Sequence, residues 1–193
     1  MNIKTLIAGF GLLAAHSLSA QNIFIGPVNA SSTPIPAAAN FSGESRDINH
    51  VGWSEVKSAG FSIENPVVTR SNAGGGAAGK ATFGTFIILK ELDGSSPFFF
   101  IHSAQGKIIP AMTIDYGRYG ERGALIYQTI VLKDVRVVSY KQNSADRNEA
   151  PMEEIGLSYG SVEITLSRND ANGRLVRGRT FGWNSITNTP INP

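Results

Sequence analysis

The sequence predicts an all-β-dominated domain with one short α-helix, and three observations predict it. Segments rich in Val, Ile, Phe, Thr and Tyr recur from Gly52 onward between turn residues. Gly is abundant, 21 of 193 residues, which suits the turns and bulges of a sheet protein. One segment, Ser96-Pro97 through Gly106, combines helix start and stop signals.

The first twenty residues read as a secretory signal peptide. Lys4 gives a small positive start, and Leu6 to Ala15 an apolar run too short to span a bilayer. Ser17, Ser19 and Ala20 then supply small residues, so cleavage is expected after Ser19 or Ala20. The alternative is an N-terminal membrane anchor, against which no charged stop pattern follows. Residues 21–40 form an irregular, Ala-, Ser- and Pro-rich segment that opens on a possible first strand, Ile23-Phe24-Ile25. The main domain is expected over 41–186, followed by a loose tail at 187–193.

Within the domain, Trp53 to Ile63 alternates loosely, and Pro66 restricts the ladder, so this strand sits at a sheet edge or ends there. Asn72 to Gly79 is a Gly/Ala-rich loop. Thr82 to Lys90 carries apolar residues on both faces, as a strand covered on both sides does. Ser96 is positioned to accept a hydrogen bond from an orphan N–H, Pro97 suits the first helical position, and Gly106 suits the left-handed stop. A helix of about nine residues does not survive alone and must dock its Phe-rich face. Lys107 to Tyr116 and Ala124 to Tyr140 are strands flanking a turn at Gly117 to Gly123, and a polar loop covers Gln142 to Pro151. From Glu154 to Ser167 the apolar positions switch parity near Gly160, which predicts a bulge or a change of buried side. Asn169 to Gly173 is a hairpin loop, and Arg174 to Asn184 is the last strand.

The formal net charge of +2 gives no general support for a nucleic-acid or membrane-surface role. There is no cysteine, so no disulfide framework and no thiol nucleophile. Gly74 to Lys80 approaches a phosphate-binding loop, but Ala81 stands where Ser or Thr is needed and a strand follows in place of a helix. His50, near Asp47, reads as part of a solvated turn, and His102 as a polar rim on the helix flank; neither has metal-site spacing. Glu153 and Glu154 point to opposite faces of a strand and read as its solvated start. Arg168, Arg174, Arg177 and Arg179 read as a solvated edge hairpin or a subunit contact, with anion binding as the functional alternative. No nucleophile–base set, metal site or cofactor is expected.

Several segments in order resemble the Hcp family of type VI secretion tube proteins. They are Gly43-Glu44-Ser45, Trp53 with Glu55, Ala78-Gly79-Lys80, Asp93-Gly94-Ser95-Ser96-Pro97, and Gly106-Lys107 with Ile109-Pro110. Further on come Tyr127, Leu132-Lys133-Asp134-Val135, Glu154 to Tyr159, and Phe181-Gly182-Trp183. The resemblance implies a compact β-barrel of two antiparallel sheets with one short helix. It implies a homo-hexameric ring with a polar bore, ring stacking, and secretion with effector proteins or other secretion-system components. It also implies that the Gly-rich loop makes ring and stacking contacts. This designates Ser71, Asn72, Gly74, Gly75, Gly76, Gly79 and Lys80 as candidate interface residues. Among Phe98, Phe99 and Phe100, one residue must splay outward, and Phe99 is the expected anchor. Two features depart from the family: a cleavable leader, which its tube subunits normally lack, and a longer, more polar 21–40 segment. The leader implies a periplasmic or extracellular location, with no membrane insertion once it is removed. The rival to a ring-former is a secreted monomeric β-barrel that holds a small apolar ligand.

Overall fold

The computed structural model describes residues 21–27, 40–68, 77–120, 123–143, 150–169 and 175–191. The expected leader, most of the irregular N-terminal segment, and the tips of the Gly-rich and last hairpin loops lie outside them.

The chain forms β1 (Gln21–Gly26), β2 (Ser54–Val56), β3 (Ser58–Gly60), β4 (Ile63–Glu64), β5 (Val67–Val68), β6 (Ala77–Ala78), β7 (Thr82–Phe83) and β8 (Phe86–Glu91). Helix α1 (Ser96–Gln105) follows, then β9 (Ile109–Gly120), β10 (Gly123–Asn143), β11 (Met152–Ser158), β12 (Ser161–Asn169), β13 (Leu175–Asn184) and β14 (Thr189–Ile191). Every pairing is antiparallel.

β10, 21 residues long, organises the fold. On one edge it pairs with β9, which pairs with β1, which pairs with β2. Its other edge pairs with β12 over Gln128–Lys133 and with β11 over Arg136–Asn143. β11 leads to β8, and β8 to β3. Only Lys57 separates β2 from β3, and its N–H donates to the Leu89 carbonyl at 2.8 Å. The pairings therefore run in a circuit: β10, β9, β1, β2–β3, β8, β11 and back to β10. Beyond the circuit, β12, β13 and β14 extend as a wing.

Alternation fills the interior. Ile23 and Ile25, Phe86 and Ile88, Met112 and Ile114, Ile130 and Leu132, and Ile155 and Leu157 belong to one buried cluster. Burying each such side chain is worth about 1.5–3 kcal/mol. Phe98 and Phe99 from α1 join this cluster.

The parity switch at Gly160 marks a corner between sheets. β11 pairs with the far half of β10, and β12 with its near half. Opposite the corner, Asp134 has φ 52°, one of the few side chains that tolerate left-handed backbone. Gly160 donates its N–H to the Lys133 carbonyl at 2.9 Å, and a Cβ there would lie 3.1 Å from Asp134. Close approach thus explains the glycine.

Three expectations about local structure need correction. The helix starts one residue earlier than expected, with Ser95 at the cap position and no side-chain capping bond. Ser96 Oγ accepts instead from the Asp93 N–H at 3.0 Å, outside the helix. The strand expected to end at Tyr116 continues to Gly120, because β1 and β10 hold both of its edges. The expected loose tail is held to Ile191 by β14, which pairs with Gly182 to Asn184.

Candidate functional site

Residues 62–68 and 77–84 pair as a two-stranded arm. β4 pairs with β7 and β5 with β6, and the Gly84 N–H donates to the Ser62 carbonyl at 2.9 Å. The Gly79 N–H donates to the Pro66 carbonyl at 2.9 Å, and a Cβ on Gly79 would sit 2.9 Å from that proline. Gly79 and exposed Lys80 therefore stand on the returning side of a paired arm. Ser71, Asn72, Gly74, Gly75 and Gly76 lie outside the described residues.

Phe99 is not the outward aromatic. It is fully buried, edge-on to Phe98 and Phe41. Phe100 is the exposed member, 54% accessible, with its ring centroid 5.9 Å from that of Tyr140. A helix starting at Ser96 turns positions 98 and 99 to the core together and leaves position 100 outside.

The wing has two different faces. Ile130 on β10 points into the core, and the register continues that face through Ile164 to Phe181. Leu166, two residues beyond Ile164, shares it. Phe181 is 66% accessible and Leu166 56%. The same side of the sheet is thus sealed in the circuit and open on the wing. The opposite face carries polar pairs around buried Val131: Thr129 Oγ1 donates to Asp115, Thr165 and Thr180 share a hydrogen bond of 2.7 Å, and Lys133 pairs with Glu163. Exposed Arg168, Arg177 and Arg179 flank the wing's outer end. Beside β2, a groove of about 500 Å³ is lined by Glu44, Glu55 and Glu91 with Arg46 and Lys57, and by Asp93, which pairs with Lys90.

Two buried charge clusters hold this frame. Lys90 and Glu153 face each other directly in the β8–β11 register, both fully buried. The Lys90 ammonium donates to Glu153 Oε1 at 2.7 Å, Asp93 Oδ1 at 2.8 Å and the Glu91 carbonyl at 2.8 Å. Ser96 Oγ donates to the same Glu153 oxygen at 3.0 Å. Burial works against the Asp93 charge, but bonds from Lys90 and Ser95 outweigh it and hold its carboxyl below the usual value. Glu153 therefore belongs to no solvated strand start, although Glu154 does lie on the other side, paired with Lys141. The signal was in the alternation: Lys90 follows Phe86 and Ile88 in parity, and Glu153 precedes Ile155 and Leu157.

In the second cluster, His50 lies buried between Asp47 Oδ1 at 2.7 Å and Asp115 Oδ2 at 3.1 Å, stacked on Phe24. Burial opposes the imidazolium, but the two carboxylates outweigh it and raise the His50 pKa above its ordinary 6.5. Asp47 also accepts from the Ala124 N–H at 2.7 Å, which ties the 40–53 loop to the start of β10. The expected solvated turn is thus a buried clamp. Its third partner, Asp115, lies 65 residues away in sequence. Among the described residues, no group of three or more His, Cys, Asp or Glu side chains could hold a metal ion.

A family model described as "Type VI secretion system effector, Hcp" matches residues 34–166. The chain belongs to the Hcp family. Hcp proteins are structural tube proteins and not enzymes. The Hcp fold recurs in solved structures. A type six secretion system protein superposes with a TM-score of 0.75 at 24% identity, covering 89% of this chain and 100% of that one. Hcp1 from Salmonella typhimurium gives 0.66 at 22%, covering 89% and 99%. Hcp2 from the same organism gives 0.57 at 20%, covering 87% and 98%. No curated protein sequence matches the chain.

The structure shows what the Hcp-like segments do here. A Cβ on Gly43 would lie 2.2 Å from the Trp53 carbonyl, and one on Gly94 2.4 Å from the Ser42 carbonyl. Ser95 accepts from Ser54 Oγ at 2.7 Å and donates to Asp93 at 2.6 Å. These contacts join the 40–53 loop, β2 and the start of α1. They fix the Hcp frame on which the arm and the wing stand.

Proposed function

We propose that this chain is an exported Hcp subunit, six copies of which close into a ring around a polar bore. The carrying observation is the two-faced sheet of β10, β12 and β13. One face continues the dry core, and on the other Lys133, Glu163 and Thr180 stand beside buried Val131 and Thr165. Bent around a six-fold axis, such a sheet offers its polar face to a water-filled channel and its apolar face to protein. Ring closure needs only two different, complementary patches on each copy. The Gly-rich segment Ser71 to Lys80 makes stacking contacts between rings, and the bore accommodates secreted effector proteins. The leader takes the chain through the inner membrane, so assembly is periplasmic or extracellular.

The full chain, expressed with its own N-terminus and purified, tests this by native mass spectrometry. The expected particle holds six subunits, each lacking about twenty N-terminal residues. A protein that stays monomeric at every concentration rejects the ring, and an intact N-terminus rejects the leader. The interior of the circuit is occupied by Phe86, Met112, Ile114 and Leu132. That packing favours the ring-former over a barrel that holds a small apolar ligand.

A further inference from the structure

We infer that His50 is a proton-held latch on the 40–53 loop. With two ring protons it fastens the loop to β9, and with one it lets the loop lift from that strand. Nδ1 lies 2.7 Å from Asp47 Oδ1 and Nε2 lies 3.1 Å from Asp115 Oδ2, so both ring nitrogens face a carboxylate. A carboxylate only accepts, and a neutral imidazole has a single N–H. Both contacts are therefore hydrogen bonds only in the imidazolium. Loss of one proton sets a ring lone pair against a carboxylate, and turning the ring over merely exchanges its nitrogens. The ring is buried, stacked on Phe24 with centroids 4.2 Å apart and edge-on to Trp53 at 4.9 Å. Water therefore cannot relieve the clash while the loop stays down.

The contact to β9 is the one that yields. Asp47 lies three residues from His50 in the same loop, and its bond to the ring is the shorter. It also accepts from the Asn49 N–H at 3.0 Å and the Ala124 N–H at 2.7 Å. Asp115 belongs to β9, which is paired on both edges, and accepts from Thr129 on β10. The charged groups that face the ring are Asp47 from its own loop and Asp115 from β9, whereas β1 and β10 bring Phe24 and Ala124. The two carboxylates favour the imidazolium against its burial, so the latch stays closed at pH 6.5 and opens at higher pH. Opening is local, because the ladders of β10, β9, β1, β8 and β11 do not pass through this loop. The loop then hinges on the Asp47–Ala124 bond. It carries exposed Ile48 and Val51, and Ile48 lies against Gly123 at the β9–β10 turn. The proton thus sets how this apolar pair is presented.

The test uses the full-length protein after purification and reads the ring and the loop separately. NMR follows the His50 ring protons across pH, assigned by their absence in His50→Gln. Amide hydrogen exchange over residues 44–53 is compared at each pH with that of β10 and β12, after correction for the intrinsic pH dependence of exchange. The expected His50 midpoint lies above 6.5. Through it, loop protection falls about tenfold or more while the strands keep theirs. Asp115→Asn is the decisive variant. It removes one charge and lowers the midpoint by about one pH unit or more. Its carboxamide donates to the neutral ring, so the loop stays protected at alkaline pH. A His50 midpoint at or below 6.5 overturns the latch, as does loop protection that ignores the midpoint. So does protection lost from β10 and β12 together with the loop, or an alkaline loss unchanged in Asp115→Asn. The wild-type readouts stand whether or not the subunit assembles.

Discussion

The circuit and the wing share one strand and one sequence pattern, yet they end in opposite environments. On β10, Ile130 and Leu132 are sealed by β1, β8 and β11 across the interior. One strand further out, Ile164 is only partly buried, and Phe181 beyond it faces solvent. Alternation assigns a side chain to a face, but only the curvature of the sheet decides whether that face is covered. Polar groups show the same contrast. Inside the frame, Lys90 pairs with Glu153 and His50 with its two aspartates, away from solvent. On the wing, Arg168, Arg177 and Arg179 are exposed to water.

Breaking the interior should cost most. Glu153→Leu leaves the Lys90 ammonium buried with one fewer counter-charge, and about 3–5 kcal/mol of unfolding free energy should be lost. Adding Lys90→Met should recover most of it, since a well-packed apolar pair replaces a buried ion pair at little net cost. Urea denaturation of the two variants measures both effects. Phe99→Ala removes a fully buried ring and should cost about 3 kcal/mol by the same assay. An outward, interface role for Phe99 would leave the subunit's stability unchanged.

The clamp gives an intermediate effect with a signature in pH. Because the His50 pKa is raised in the folded state, its contribution is complete below 6.5 and lost as pH climbs through the folded-state value. Asp47 has the opposite sign. Bonds from His50, Ala124 and Asn49 outweigh its burial and lower its pKa, so its contribution holds above 3.8 and fades as pH falls through the folded value. His50→Gln should cost about 1.5–3 kcal/mol near pH 6 and remove the alkaline decline. Thermal midpoints followed across pH read both limbs. A parallel decline in the variant would show that the histidine is not the titrating group.

The wing should give the smallest effect on the subunit and sharpens the contrast. Phe181→Ser should change unfolding free energy by no more than about 0.5 kcal/mol at concentrations where the protein is dissociated. A larger loss would mean that the wing face is packed within one chain.

The alternation of Phe86, Ile88, Ile155 and Leu157, the Pro97-to-Gly106 helix and the parity switch at Gly160 were all legible in the sequence. They are local signals, carried by residues two to ten apart. The ordered segments from Gly43 to Trp183 also carried the family. Hidden from view were the partners of buried charges and the covering of faces. His50 meets Asp115 across 65 residues, and Lys90 meets Glu153 across 63. Which of three adjacent phenylalanines turns outward depends on the phase of a short helix, and a one-residue shift at the cap settles it. The chain alone thus determined periodicity, punctuation and kinship. The tertiary structure decided which polar groups are desolvated together and which apolar face is left open, because both depend on contacts between segments distant in sequence.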